Sequence, residues 1–348
     1  MHPEFKINGK AYTSESLLFY AEELKLSNEV YIKEVGIFFS TWLNANDYIV
    51  VKTSGSTGAP KPIKLFKKHM INSALATGNY FNALEGTKAL LCLSASYIAG
   101  KMMLVRAMVL GWDIHIKPPS TNPIGANEKY DFAAMVPMQV QQSLNNLNQI
   151  KTLIIGGAPL ATTIRNQLLQ KTTACYVTYG MTETCTHIAI KKITVNNTAP
   201  YKALVDVTIK QDERMCLVIN APKIISEPII TNDIVEIIAP NKFKWLGRYD
   251  SVINSGGIKL FPEQIEQKLS SQIATRFFVA GIPDEVLGEK LILIIESDTL
   301  FTINYSTLDV PLLKYEQPKE VFFLSQFIET STGKIQRKET LQLLNIDS

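Results

Sequence analysis

The sequence predicts an α/β fold: a large domain on a mostly parallel sheet with an antiparallel β subdomain, followed by a small α+β domain. Three observations carry this. Short β-rich apolar runs alternate with helix-like segments through the first half, and from about residue 203 strands follow one another closely with turn residues between them. A glycine-rich stretch, 247–257, then precedes one more helix and two strands.

In order along the chain, the runs 48–51, 89–93, 132–136, 152–155 and 175–179 have the length and β-branched content of buried strands. Between them, 68–81, 100–110, 137–147 and 160–169 read as helices. That β-α-β rhythm places helices on both faces of a parallel sheet. The segments 204–209, 215–220 and 234–239 read as the antiparallel strands. A helix beginning near Pro262 and strands at 276–281 and 291–296 make the last unit, so the expected domains are 1–249 and 250–348. No internal repeat or low-complexity segment interrupts the pattern.

The composition is that of an ordinary globular protein, 348 residues with 46% hydrophobic and 19% charged side chains, enough for about two domains. The N-terminal residues lack the apolar core of a signal peptide, and no run approaches the roughly 18 apolar residues of a membrane span, which predicts a cytoplasmic protein. Cys92, Cys175, Cys185 and Cys216 form no C-x-x-C pair, which argues against a zinc site or a disulfide framework. A formal charge of +3 without a long basic run gives no support to nucleic-acid binding and leaves anionic small molecules as partners. The sequence is silent on oligomeric state.

Directly after the first strand stands Thr53-Ser54-Gly55-Ser56-Thr57-Gly58-Ala59-Pro60-Lys61. Glycines admit phosphates close to backbone N–H groups, hydroxyls donate further hydrogen bonds and lysine supplies charge. The run is not a Walker A loop, because Pro60 stands where that motif needs its second glycine. Read alone, it is also the composition of a flexible linker.

This run resembles the phosphate loop of the adenylate-forming enzymes, which include acyl-CoA synthetases, luciferases and peptide-synthetase adenylation domains. Three further segments match in the same order. Tyr179-Gly180-Met181-Thr182-Glu183 follows a predicted strand, and so falls at the carboxyl end of the sheet where such folds bind ligands. Asp233 opens the next match, which continues through Gly247-Arg248-Tyr249-Asp250 and Gly256-Gly257 to Glu266. The last is Thr330-Ser331-Thr332-Gly333-Lys334. The resemblance covers the chain from about residue 47 to its end.

The resemblance implies ATP, Mg²⁺ and coenzyme A as cofactors and a small-molecule carboxylic acid as substrate. It implies ATP contacts at Thr53, Ser54, Gly55, Ser56, Thr57, Gly58 and Lys61, and around adenine at Gly156, Gly157, Ala158, Tyr179, Gly180, Met181 and Thr182. It implies magnesium at Glu183, ribose at Asp233, a nucleotide contact at Arg248, a hinge at Asp250 that makes the last domain mobile, coenzyme A at Gly256 and Gly257, and catalysis by Lys334. One departure is Asn232 where the family carries glycine before the aspartate.

Two features bear on the acid. The phosphate loop begins at residue 53, so much of the family's N-terminal subdomain is expected to be missing, and Tyr97 takes the place of a histidine in an aromatic-His-x-x-Gly segment. Within the family the chain resembles the o-succinylbenzoate–CoA ligases of menaquinone biosynthesis. That substrate keeps a second carboxylate, so a cation is expected near Tyr97 and Gly100, supplied by Lys101 or Arg106. His187 either lines that pocket or fills it. The other readings are a ligase for another aromatic or short acid, an amino-acid adenylating enzyme, or a nucleotide-binding regulator without catalysis.

Overall fold

A computed structural model describes residues 1–52, 61–196, 198–308, 310–329 and 335–344. Its largest sheet has thirteen strands among the described residues. The middle of that sheet is parallel: Lys6–Ile7, Asp113–Ile116, Lys88–Leu91, Tyr130–Met135, Ile150–Ile155 and Ala174–Gly180 lie side by side in that order. Beyond Ala174–Gly180 every neighbour is antiparallel, through His187–Lys192, Tyr201–Ala203, Lys242–Arg248, Ile229–Ala239, Cys216–Asn220 and Thr208–Gln211. The antiparallel strands thus extend the parallel sheet.

Several boundaries differ from expectation for local reasons. The expected strand 204–209 is divided because Asp206 takes a left-handed conformation, φ 64°, between Tyr201–Ala203 and Thr208–Gln211. The strand expected at 48–51 lies outside the parallel sheet. It runs as Tyr48–Lys52 and pairs antiparallel with Pro62–Phe66, and its alternating burial fits a hairpin covered on one side only. The helix expected over 137–147 stops at Gln142.

Two helices precede the hairpin. In Ser14–Lys25 the Thr13 hydroxyl accepts from the Ser16 amide while the Ser16 hydroxyl accepts from the Thr13 amide, a reciprocal cap. Leu17, Ala21 and Leu24 are its buried stripe. It packs on Val30–Leu43 so closely that a Cβ on Gly36 would lie 2.7 Å from the Ala21 carbonyl oxygen. Helix Ile98–Leu110 buries every residue from 102 to 108, as a helix embedded in a core must.

From Ile253 onward the chain builds a second sheet. Ile253–Ser255, Ile258–Leu260, Phe277–Asp284, Gly288–Glu296 and Glu320–Leu324 join in it, with helix Pro262–Leu269 against one face. Its apolar residues, among them Ile265, Leu269, Leu291 and Leu293, cluster apart from those of the large sheet.

Glu266 of that helix accepts from the Val279 amide at 3.0 Å and from Arg337 at 2.9 Å. Burial raises its carboxyl to about 7 against the pull of Arg337, and Glu263 adds to the rise. A folded-state pKa above the unfolded one contributes stability fully present below the unfolded value and lost as pH rises through the folded one. Glu266→Gln should therefore remove part of the fall in Tm between about pH 5 and pH 8, measured by thermal melts. A wild-type Tm that rises across this window relative to the variant would show that Arg337 outweighs burial.

Candidate active site

The carboxyl ends of two neighbouring parallel strands carry eight of the expected site residues, 156–158 and 179–183. After Ile150–Ile155, Gly156 donates its amide to the Met135 carbonyl at 3.2 Å and Gly157 turns the chain with φ +86°. A Cβ on Gly156 would stand 2.6 Å from Thr178 Oγ1, so glycine lets this segment, with the exposed Ala158, lie against the next strand. That strand ends in Tyr179 and Gly180, and Gly180 in turn sits where a Cβ would meet the Thr186 carbonyl oxygen at 2.3 Å. The tight return through Met181, Thr182 and Glu183 closes at Cys185 with φ +61°, a costly conformation for a residue with a Cβ.

Tyr179 donates its hydroxyl to Asp233 Oδ2 at 2.6 Å, and its ring packs 5.2 Å from Phe243 and 5.9 Å from Tyr201. Burial and the adjacent carboxylate hold the phenol protonated far above its usual range. Asp233 is buried, and its other oxygen accepts from the Trp245 indole at 3.1 Å. Arg248 stands 3.8 Å from Asp233 and 3.1 Å from Asp250, so one guanidinium joins the ribose candidate to the hinge candidate. Trp245 carries no motif signal. It reaches Asp233 because the two strands pair with Val235 opposite Trp245, and cross-strand register is decided in three dimensions.

Arg214 explains the Asn232 departure. It donates to Asn232 Oδ1 at 3.2 Å and to the Thr231 carbonyl at 3.3 Å, while Asp212 holds it from behind. A glycine at 232 would lack that acceptor.

Glu183 is exposed and lines a cavity of about 180 Å³ with Lys64, Phe66, His69, Glu227 and Ile225. One exposed carboxylate facing open space suits magnesium, which keeps waters and phosphate oxygens among its ligands. Lys61 is exposed at the foot of strand Pro62–Phe66. Thr53, Ser54, Gly55, Ser56, Thr57, Gly58 and Lys334 lie outside the described residues. The segment holding Lys334 is flanked by an antiparallel pair, Glu329 with Ile335. Gly256 and Gly257, at φ +58° and +82°, form the tip of the hairpin between Ile253–Ser255 and Ile258–Leu260.

The structure separates the two cations expected for the acid. Lys101 folds back to donate to the carbonyls of Ala95 and, at 2.8 Å, Ser96; burial lowers its ammonium to about 8. It lines a second cavity, of about 160 Å³, with Glu34, Ile37 and Ile49. Arg106 points elsewhere and is 1% exposed. Its Nε donates to Thr77 at 3.3 Å, its Nη2 to Thr186 at 3.1 Å, and its Nη1 faces Met103 sulfur at 3.6 Å. Among the described residues no carboxylate pairs with it. Burial pushes the guanidinium down to about 9, which leaves it cationic at neutral pH.

His187 shares both threonines, at 3.4 Å each, and burial, with Arg106 second, drives its pKa well below the usual value. It is therefore a neutral neighbour of Arg106 in this buried polar cluster. The Ser73 hydroxyl, fully buried one turn before Thr77, has no partner among the described residues. Arg106 is thus a buried cation among neutral hydroxyls and a neutral imidazole, without a counter-ion among the described residues.

A family model described as AMP-binding enzyme matches residues 14–218 of this chain. The chain belongs to that family. A crystal structure described as an acyl-CoA synthetase (AMP-forming)/AMP-acid ligase II-like protein from Dyadobacter fermentans is 35% identical, with a TM-score of 0.62 over 93% of this chain and 97% of that one. The 2-succinylbenzoate–CoA ligase of Staphylococcus aureus strain Newman is 27% identical over 97% of this chain and 76% of its own length. The o-succinylbenzoate coenzyme A synthetase of Bacillus subtilis, solved with ATP and magnesium, shares the fold at 19% identity, with a TM-score of 0.72 over 84% of this chain and 69% of that chain. This AMP-binding enzyme is an adenylate-forming acid–CoA ligase. No helix among its described residues is long and apolar enough to cross a membrane.

Proposed function

We propose that the enzyme activates o-succinylbenzoate as its acyl-AMP and transfers the acyl group to coenzyme A. The observation that carries the substrate is Arg106, a buried guanidinium without a carboxylate among the described residues. A substrate with a second carboxylate completes it. The name of the Staphylococcus aureus relative supports the same acid.

In this reading the acid's reacting carboxylate attacks the α-phosphorus of ATP and pyrophosphate leaves. The thiol of coenzyme A then attacks the acyl carbon and AMP leaves. Bringing two anions together requires fixed positive charge and hydrogen-bond donors aimed at the transferring phosphoryl group; Lys61 and Lys334 supply the charge and the Thr57 hydroxyl a donor. Magnesium, when bound, neutralises phosphate charge, and Glu183 holds it. Asp233 binds ribose with Tyr179 and Trp245 fixing its two oxygens, and Asp250 is the hinge between domains 1–249 and 250–348 that serves the two half-reactions in turn.

The test is thioester formation from a panel of acids. O-succinylbenzoate should exceed benzoate by about tenfold or more in kcat/KM, the scale of a hydrogen bond to a charged group. Equal use of the two would overturn the substrate. Absence of ATP–pyrophosphate exchange with every acid would favour a nucleotide-binding regulator.

A further inference from the structure

We propose that Glu34 is a positioning residue for the acid: its carboxylate clamps the turn 94–97, which carries Tyr97 and starts the helix that presents Arg106. The inference rests on the acid-site reading above and goes beyond it, because Glu34 belongs to no motif and comes from the helical pair at the start of the chain.

The turn follows strand Lys88–Leu91 at the carboxyl end of the sheet, and Tyr97 caps helix Ile98–Leu110 without a side-chain hydrogen bond to it. Among the described residues its own polar groups make no hydrogen bond to the sheet. Instead, Ser94 and Ser96 each donate a hydroxyl to Glu34, one to each carboxylate oxygen, both at 2.6 Å. The Ser96 amide donates to the Ser94 hydroxyl at 3.1 Å, so the two serines and the carboxylate close a ring. Lys101 reaches back to the carbonyls of Ala95 and Ser96 from the first turn of the helix. At Gly100 a Cβ would lie 2.2 Å from the Ser94 carbonyl oxygen, so the turn is pressed onto the helix.

Glu34 is held in place by packing as well. Val35, Phe38 and Phe39 of the same helix are buried, and Gly36 lets that helix approach Ser14–Lys25. Two charge-assisted hydrogen bonds to one carboxylate fix distance and direction together. At the other end of the turn Tyr97, the residue expected at the acid, is 53% exposed.

The experiment measures Glu34→Gln, Glu34→Ala and the double variant Ser94→Ala/Ser96→Ala, with o-succinylbenzoate and benzoate as probes. The Ala variant should raise KM for the acid by about tenfold while KM for ATP stays within about twofold. Glutamine keeps one acceptor and should fall between. Adding Glu34→Ala to the double serine variant should bring no further rise, the non-additivity expected of groups acting as one unit. Additive effects, or KM values for acid and ATP that rise together, would overturn the clamp and leave a general stabilising role. If wild type uses neither acid, the substrate reading fails alone. The clamp is then judged by hydrogen exchange, which in Glu34→Ala should accelerate at the amides of Ser96 and Tyr97 and stay unchanged along Lys88–Leu91. Unchanged exchange in the turn would overturn it.

Discussion

Lys334→Ala should slow acyl-adenylate formation by roughly 10²–10³-fold, the cost of removing one preorganised electrostatic donor from a transition state. The thioester step should be nearly untouched. In the proposed mechanism the asymmetry follows from where charge develops: acid and phosphate are both anionic in the first step, whereas attack of a thiol on the finished acyl-AMP involves no new phosphate bond. Presynthesised acyl-adenylate with coenzyme A measures the second step alone, and ATP–pyrophosphate exchange measures the first. The flanks of this segment are anchored, since Arg276 pairs with Glu329 on one side and Arg337 with Glu266 on the other. Loss of the lysine should therefore leave the small sheet folded. Equal slowing of both steps would assign Lys334 to the fold or to coenzyme A binding instead.

Arg106→Met should raise KM for o-succinylbenzoate by about tenfold to a hundredfold, since each hydrogen bond to a charge is worth about 1.5–3 kcal/mol and 1.4 kcal/mol is a factor of ten. Benzoate, with no second carboxylate, should lose little. The variant should also melt at or above the wild-type temperature, because an apolar side chain of similar length replaces a desolvated charge that has no counter-ion in the described protein. Lys101→Met is the internal control. Its ammonium is spent on the carbonyls of Ala95 and Ser96, so any effect should be the same for both acids. Equal loss of both acids in Arg106→Met would place the anchor elsewhere.

Periodicity alone determined four parallel strands of the large sheet, Lys88–Leu91, Tyr130–Met135, Ile150–Ile155 and Ala174–Gly180, and the helices between them, because each is a local pattern of side chains that must be buried; Lys6–Ile7 and Asp113–Ile116, short and partly polar, were found only in the structure. The motifs marked the turns at Gly156-Gly157 and Gly180-Met181, where the backbone geometry admits little else, and brought Tyr179, Asp233 and Arg248 into one hypothesis. What the tertiary structure decided is partnership. The run 48–51 looked like a strand of the parallel sheet, yet as Tyr48–Lys52 it pairs with Pro62–Phe66, and nothing in so short a run states which strand will meet it. The helices Ser14–Lys25 and Val30–Leu43 lay before the first motif, and Glu34 among them has no signal beyond an ordinary helical acid. Lys101 and Arg106 were equal candidates in sequence because a five-residue separation does not say what surrounds either face of a helix. One face met backbone carbonyls and the other met Thr77, Thr186 and a neutral His187, and only that packing decides what each cation is bonded to.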